Sequence, residues 1–179
     1  HRLDRRTFAE NQLRDYGLHM QAVRFPGVYN PESGRGCADS HLGALEYAKE
    51  HGFDSTLILE DDFQFSIPKT DVHRLLSDLE SMAFDVCMLS YNLHQSESID
   101  TNFGRVLFAQ DASAYLVKRH YYDTLIDLYS TTNALLNQTG RHWEFANDVV
   151  WKPLQQRDTW LYPKRRVGHQ LQSLGSDNT

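Results

Sequence analysis

Apolar positions recur along this chain at two spacings, one helical and one strand-like. Ala9, Leu13 and Tyr16 stand four and three residues apart with Gly17 just beyond, which predicts a helix over 1–16. Residues 20–25 read as a strand, with Pro26, Gly27, Asn30 and Pro31 as the turn after it. Asp39 or Ser40 can cap a second helix, whose inner stripe is Leu42, Leu45 and Ala48 and which Gly52 terminates. The unbroken run Leu57-Ile58-Leu59, entered from Ser55, reads as a strand covered on both faces, which suits the interior of a parallel sheet. Helix, strand, helix, strand is the rhythm of a parallel sheet with crossover helices.

Beyond Pro68 the pattern predicts a helix over 70–82, with Val72, Leu75, Leu76 and Leu79 facing one way, and then a strand over 84–89. Residues 91–103 are polar and irregular and read as a loop, long enough to suggest function. Residues 105–109 and 114–117 read as short strands paired around 110–113, and 120–136 as the longest helix, with Tyr121, Leu125, Leu128 and Tyr129 near one face. A helix over 143–151 is stopped by Pro153, and a last strand over 159–162 leads into a basic tail. The expected architecture is a single α/β domain over 1–179 with a mixed, mainly parallel sheet.

Composition narrows the classes. At 179 residues, 40% hydrophobic and 23% charged, the chain suits one globular domain with a core that needs no disulfide staples. A net charge of −6 argues against a general nucleic-acid binder, Lys164-Arg165-Arg166 being a local basic exception. No stretch approaches a membrane span and no signal peptide is visible, so a cytoplasmic setting is expected. Cys37 and Cys87 allow at most one bridge, lack metal-type spacing and read as buried small hydrophobes. Asn137-Gln138-Thr139 fits a glycosylation sequon, a triplet that arises often by chance.

The chemistry concentrates where the central apolar strand ends in Glu60-Asp61-Asp62. Two carboxylates about 6 Å apart at an effective dielectric near 20 repel by roughly 3 kcal/mol. Three in a row therefore call for a cation, raised pKa values or open water; a solvated acidic turn is the plainer alternative. Hard oxygen donors suit Mg²⁺ or Mn²⁺, ions that keep positions open for phosphate oxygens, so a phosphorylated ligand is the implied partner. Strand alternation puts Glu60 and Asp62 on one side and Asp61 on the other. Asp62 is then the candidate metal ligand, with Glu60 or Asp61 orienting a sugar hydroxyl. Asp61 could equally form a salt bridge.

A second acidic position is Asp148, which a continuous helix places one turn from Glu144. The two could serve as an acceptor-facing base and its support, although Glu144 also suits the helix macrodipole. The third cluster is the basic run ending in Arg166, followed by His169 and Gln170. Its cations could neutralise a diphosphate and His169 could be a metal ligand, against the plainer reading of a solvated tail. His41, near a helix amino end, reads as either structural or a ligand.

Gly36-Cys37-Ala38-Asp39-Ser40-His41-Leu42, then a helix, then Leu57-Ile58-Leu59-Glu60-Asp61-Asp62 resembles glycosyltransferase family 25, the family of lipooligosaccharide and procollagen galactosyltransferases. Arg2-Leu3-Asp4-Arg5 is similar to its Arg-x-Asp-Arg block, Ala114-Tyr115-Leu116-Val117 to its Ala-Tyr strand, Asp148 to its lone downstream Asp, and Gln170 with Ser176-Asp177 to its closing segment. The resemblance implies a GT-A-like nucleotide-binding α/β/α sandwich from which the family's first strand is missing. It implies inverting, Mn²⁺- or Mg²⁺-dependent transfer of a hexose, galactose or glucose, from a UDP-sugar to a hydroxyl on a glycan or protein. On that reading Asp62 and His169 hold metal, while Glu60, Asp61, Arg2, Arg5, Arg166 and Gln170 attend the donor. Asp148 is the base and Glu144 its support. A catalytically silent nucleotide- or sugar-binding module is the first alternative, and a metal-dependent phosphohydrolase the second.

Overall fold

The structure, a computed structural model, describes residues 2–30 and 34–171. Ser176-Asp177 of the closing block and Pro31 of the first turn lie outside them. Helix α1 (Leu3–Asp15) is followed by 16–30, which form no strand, and by helix α2 (Arg35–Glu50). Strand β1 (Ser55–Leu59), β2 (Phe63–Phe65), helix α3 (Lys69–Ser81) and β3 (Val86–Met88) come next. Then follow β4 (Asn92–Ser98), β5 (Phe103–Gln110) and β6 (Ala114–Lys118). The last part runs α4 (Tyr122–Thr139), three short helices α5 (His142–Phe145), α6 (Asn147–Val150) and α7 (Lys152–Arg157), β7 (Trp160–Pro163) and β8 (Gly168–Gln170).

Six strands form one sheet in the order β1-β6-β3-β7-β5-β4, and β2 pairs with β8 in a separate ribbon. Among the described residues only β3 and β7 run parallel, and every other pairing in the six-stranded sheet is antiparallel. The expected mainly parallel sheet is therefore incorrect. Alternation of helices and strands fixes what separates strands in sequence, and long-range pairing fixes their direction. Here β6 inserts between β1 and β3 and runs against both, while β4 and β5 form a hairpin.

Several local expectations change for the same reason. β1 lies at an edge of the described sheet, only Ile58 of it buried, so it is not an interior strand. Residues 105–109 sit in β5, which pairs with β4 and β7 and not with β6. The loop expected at 91–103 contains β4, a polar, exposed edge strand with register shifts near Gln95; of its side chains only Leu93 packs against the core, so the strand carries almost no core signal. The expected helix over 143–151 is broken at Ala146, which is extended at φ −63°, ψ 148°, and Pro153 starts α7 where it was expected to stop a helix. Helix α2 is capped by Gly34 at φ 81°, with Ser40 inside it hydrogen-bonding Gly36 O. Gly52, at φ 67°, follows α2 in the left-handed conformation expected of a terminator.

Strand alternation splits the core in two. Val86, Met88, Tyr115 and Val117 face Leu45 and Ala48 of α2, Leu125 and Tyr129 of α4, and Trp151 and Trp160. Cys87, Leu116 and Leu161 face Val72 and Leu79 of α3 with Phe63 and Phe65 of β2. The sheet is thus covered on both faces, and Trp151 stands edge-on to both Tyr115 and Trp160, with ring centroids 5.5 and 5.1 Å away. Among the described residues no helix is long and apolar enough to cross a membrane.

Candidate functional site

The acidic triplet leaves β1 at its junction with β6, where Glu60 N donates to Ser113 O at 2.9 Å. Phe63 N donates back to Glu60 O at 3.2 Å, closing a tight turn into β2. Because Phe63 lies opposite Gln170 in the β2–β8 ribbon, and Leu171 N donates to Asp62 O, the amide of Gln170 falls against the acids. Gln170 Nε2 donates to Glu60 Oε2 at 3.2 Å and to Asp62 Oδ2 at 3.1 Å.

Helix α1 supplies the cation. Gln12 clamps it to β2, its amide donating to Phe63 O and accepting from Phe65 N, both at 2.8 Å. Arg5, two turns earlier on the same face of α1, reaches Asp61 and Asp62, each at 3.1 Å. Asp61 remains half exposed, whereas Asp62 is only 2% accessible and its Oδ1 is buried without a hydrogen-bond partner. Burial, reinforced by the charge of Glu60 and partly offset by Arg5, raises the Asp62 pKa to about 6.

Glu60 also faces α2. Its Oε1 lies 3.2 Å from His41 Nε2 and 3.6 Å from Cys37 Sγ, and His41 Nδ1 lies 2.8 Å from the buried Tyr115 hydroxyl. Cys37 and His41 share a helix face because they stand one turn apart. Burial raises the cost of charging Glu60, but the hydrogen bond and charge of His41 outweigh it and hold the carboxyl below its ordinary value. Burial likewise opposes charge on His41, and the pull of Cys37 and Glu60 overcomes it, raising that imidazole.

The turn between β5 and β6 joins Asp148 to this group. Asp111 stands at φ 88°, a left-handed conformation unusual for a residue with a side chain, and is held there by its own contacts. Its Oδ1 accepts from Ser113 N and Oγ at 2.9 and 2.6 Å, and its Oδ2 from Ser90 Oγ at 2.6 Å. Asp111 N in turn donates to Asp148 Oδ2 at 3.2 Å. Burial raises the Asp148 pKa, the Asp111 amide lowers it, and the charges of Asp111 and Glu60 add to the rise. One short turn therefore touches Glu60 through Ser113 and Asp148 through Asp111.

Other expected site residues fall elsewhere. Glu144 is not one turn from Asp148 on a shared helix, because the chain is extended at Ala146; it pairs locally with Arg141. His169 is exposed beside Gln170, and strand alternation turns it from the face that bears the acids, so it does not join them. Arg166 donates to Tyr91 O at 3.0 Å and stacks 5.0 Å from the Tyr91 ring centroid. Arg2 pairs with Asp4 at 2.8 Å. Cys87 is a buried hydrophobe as expected, but Cys37 is exposed. Sequence reading gave no site role to Cys37, which it took for a buried hydrophobe, to Tyr115, which it placed only in a strand, or to Asp111 and Ser113. The four-residue step from Cys37 to His41 is a signal that was present, whereas nothing in Asp-Ala-Ser announces a strained turn.

No known protein-family model matches this chain, and no curated protein matches it.

Proposed function

We propose that this chain is an inverting, divalent-metal-dependent glycosyltransferase that moves a hexose from a nucleotide diphosphate sugar, of the UDP class, to a hydroxyl of a glycan or protein. The observation that carries the reading is the convergence of Glu60, Asp62 and Gln170 with Asp148 through the turn at Asp111–Ser113. Asp62 fits a hard cation: one oxygen is buried and unpartnered, and the raised pKa shows how poorly the carboxylate is compensated. Asp62 would hold Mn²⁺ or Mg²⁺, and the ion when bound supplies Lewis-acid stabilisation of a departing diphosphate.

The remaining roles belong to the protein's own side chains. Glu60 and Gln170 orient donor hydroxyls, and Gln170 keeps the two carboxylates in register. Arg5 compensates the acidic turn and, released from Asp61, can face the diphosphate. Asp148 takes the acceptor hydroxyl proton. Its Oδ2 is fixed on the Asp111 amide and its pKa is raised by burial, which moves a carboxylate toward the range useful to a general base.

Arg5 already bonds both Asp61 and Asp62, and this favours one rival, a nucleotide-sugar-binding module without catalysis. Calorimetric titration of UDP and UDP-hexoses with and without Mn²⁺, followed by transfer assays, separates the two. Transfer that needs Mn²⁺ and is lost in Asp62→Asn and Asp148→Asn, with cooperative melting retained, supports the enzyme. Metal-dependent binding with no transfer or donor hydrolysis supports the module. Undiminished turnover in Asp62→Asn rejects the assignment of that residue.

A further inference from the structure

We infer that Cys37, His41 and Glu60 form a second cation site, one that takes a zinc-class transition ion and is separate from the hard-ion position at Asp62. Sulfur, imidazole nitrogen and carboxylate oxygen here lie within 4.8 Å of one another. This donor set differs in kind from an all-oxygen cluster. A thiolate with an imidazole selects Zn²⁺, Co²⁺ or Cd²⁺ over Mg²⁺ or Mn²⁺.

The spacing matches the ion. Tetrahedral zinc with bonds of about 2.3 Å to sulfur, about 2.05 Å to nitrogen and about 2.1 Å to oxygen separates sulfur from oxygen by about 3.6 Å and nitrogen from oxygen by about 3.4 Å. The observed separations are 3.6 Å for Cys37 Sγ to Glu60 Oε1 and 3.2 Å for His41 Nε2 to the same oxygen. Both fall close to their final values, and sulfur and nitrogen, within 4.8 Å of each other, need only close toward the separation of about 3.6 Å in a tetrahedral site. Ordinary packing does not require this. A cysteine beside a carboxylate gains little from a weak thiol donor, whereas both become ligands around an ion.

A supporting contact is also present. His41 Nδ1 meets the fully buried Tyr115 hydroxyl at 2.8 Å, so Nδ1–H can donate there, and an ion would displace the Nε2 proton shared with Glu60, together with the Cys37 thiol proton, freeing the Nε2 lone pair and the thiolate for the metal. Metal-binding histidines are oriented by a partner of this kind on the other ring nitrogen. The exposure of Cys37 gives an entry path and leaves a fourth position for solvent or a ligand. Because Glu60 Oε1 faces this cluster and Oε2 meets Gln170, a bound ion would tie α2 to the acidic turn through one carboxylate.

The site does not depend on the transferase reading, and its test needs no activity. Titrating the full chain with CoCl₂ should give one equivalent of bound cobalt with a thiolate-to-metal charge-transfer absorption, which ZnCl₂ displaces. Cys37→Ser should abolish that absorption and weaken zinc binding by about 100-fold or more. Tyr115→Phe should weaken it by roughly 10- to 100-fold, the usual effect of losing a supporting partner. Asp62→Asn should leave the cobalt spectrum unchanged. Zinc should also slow iodoacetamide modification of Cys37 in the unaltered protein at least tenfold, Cys87 being fully buried and silent. This measurement stands even if a variant misfolds. Cobalt bound without thiolate absorption, zinc affinity unchanged by Cys37→Ser or lost equally in Asp62→Asn, or unprotected Cys37 would each overturn the site.

Discussion

Asp62 offers the sharpest quantitative test, because a buried acid with one unpartnered oxygen should make stability depend on pH in an unusual direction. Its pKa is about 6 in the folded protein, against an ordinary value of 3.8 taken for the unfolded chain. Between these values the folded state binds the extra proton. Stability contributed by Asp62 is therefore greatest below about pH 4, falls as pH rises to about 6 and is flat above. At about 1.4 kcal/mol per pH unit separating the two values, ionised Asp62 costs about 3 kcal/mol at neutral pH. Asp62→Asn removes the titration while its carbonyl keeps the bonds from Arg5 and Gln170, although the amide nitrogen inherits the unpartnered position at a cost of about 1–3 kcal/mol. The absolute change at pH 7 is consequently small, and the pH dependence is the informative quantity. Urea denaturation of both proteins from pH 4 to 8, without divalent metal, should show the variant gaining on the unaltered protein by about 3 kcal/mol across the window. Saturating Mn²⁺ should remove most of that difference by stabilising only the unaltered protein. A difference that is constant with pH, or that grows toward acid, refutes the reasoning.

Three further outcomes follow from the geometry around the site. In Gly168→Ala the new Cβ would lie 2.2 Å from Gln64 O and 2.3 Å from the Phe63 ring; backbone cannot yield as a side-chain tip can, so thermal denaturation should show a loss of about 1–3 kcal/mol or more, with weaker donor binding as Gln170 shifts. Asp111→Ala strands the buried Ser90 and Ser113 and keeps a left-handed backbone, which should cost about 2–4 kcal/mol by denaturation, while Asp111→Asn should lose less than half as much. Gln155, fully buried, bonds both Ala109 N and Ala109 O at 2.9 and 3.1 Å, so Gln155→Leu should cost about 2–4 kcal/mol, and a change below about 0.5 kcal/mol would contradict that accounting.

The sequence by itself determined what local physics controls. Spacing of Leu45 and Ala48 in α2, of Leu125 and Tyr129 in α4, and the apolar run before Glu60 each specify an element without knowledge of its neighbours. The acidic turn was legible too, since three carboxylates after a buried-type strand require compensation in any fold. Tertiary structure decided the rest. The direction of β6 beside β1, the edge position of β1 and the hairpin hidden in polar β4 depend on partners far away in sequence. The pairing of Phe63 with Gln170 brings the amide, and not His169, to the carboxylates, and an extended Ala146 separates Glu144 from Asp148. Chemistry at a point in space is a property of side chains that converge from several elements, and neither periodicity nor propensity carries information about which residues will meet.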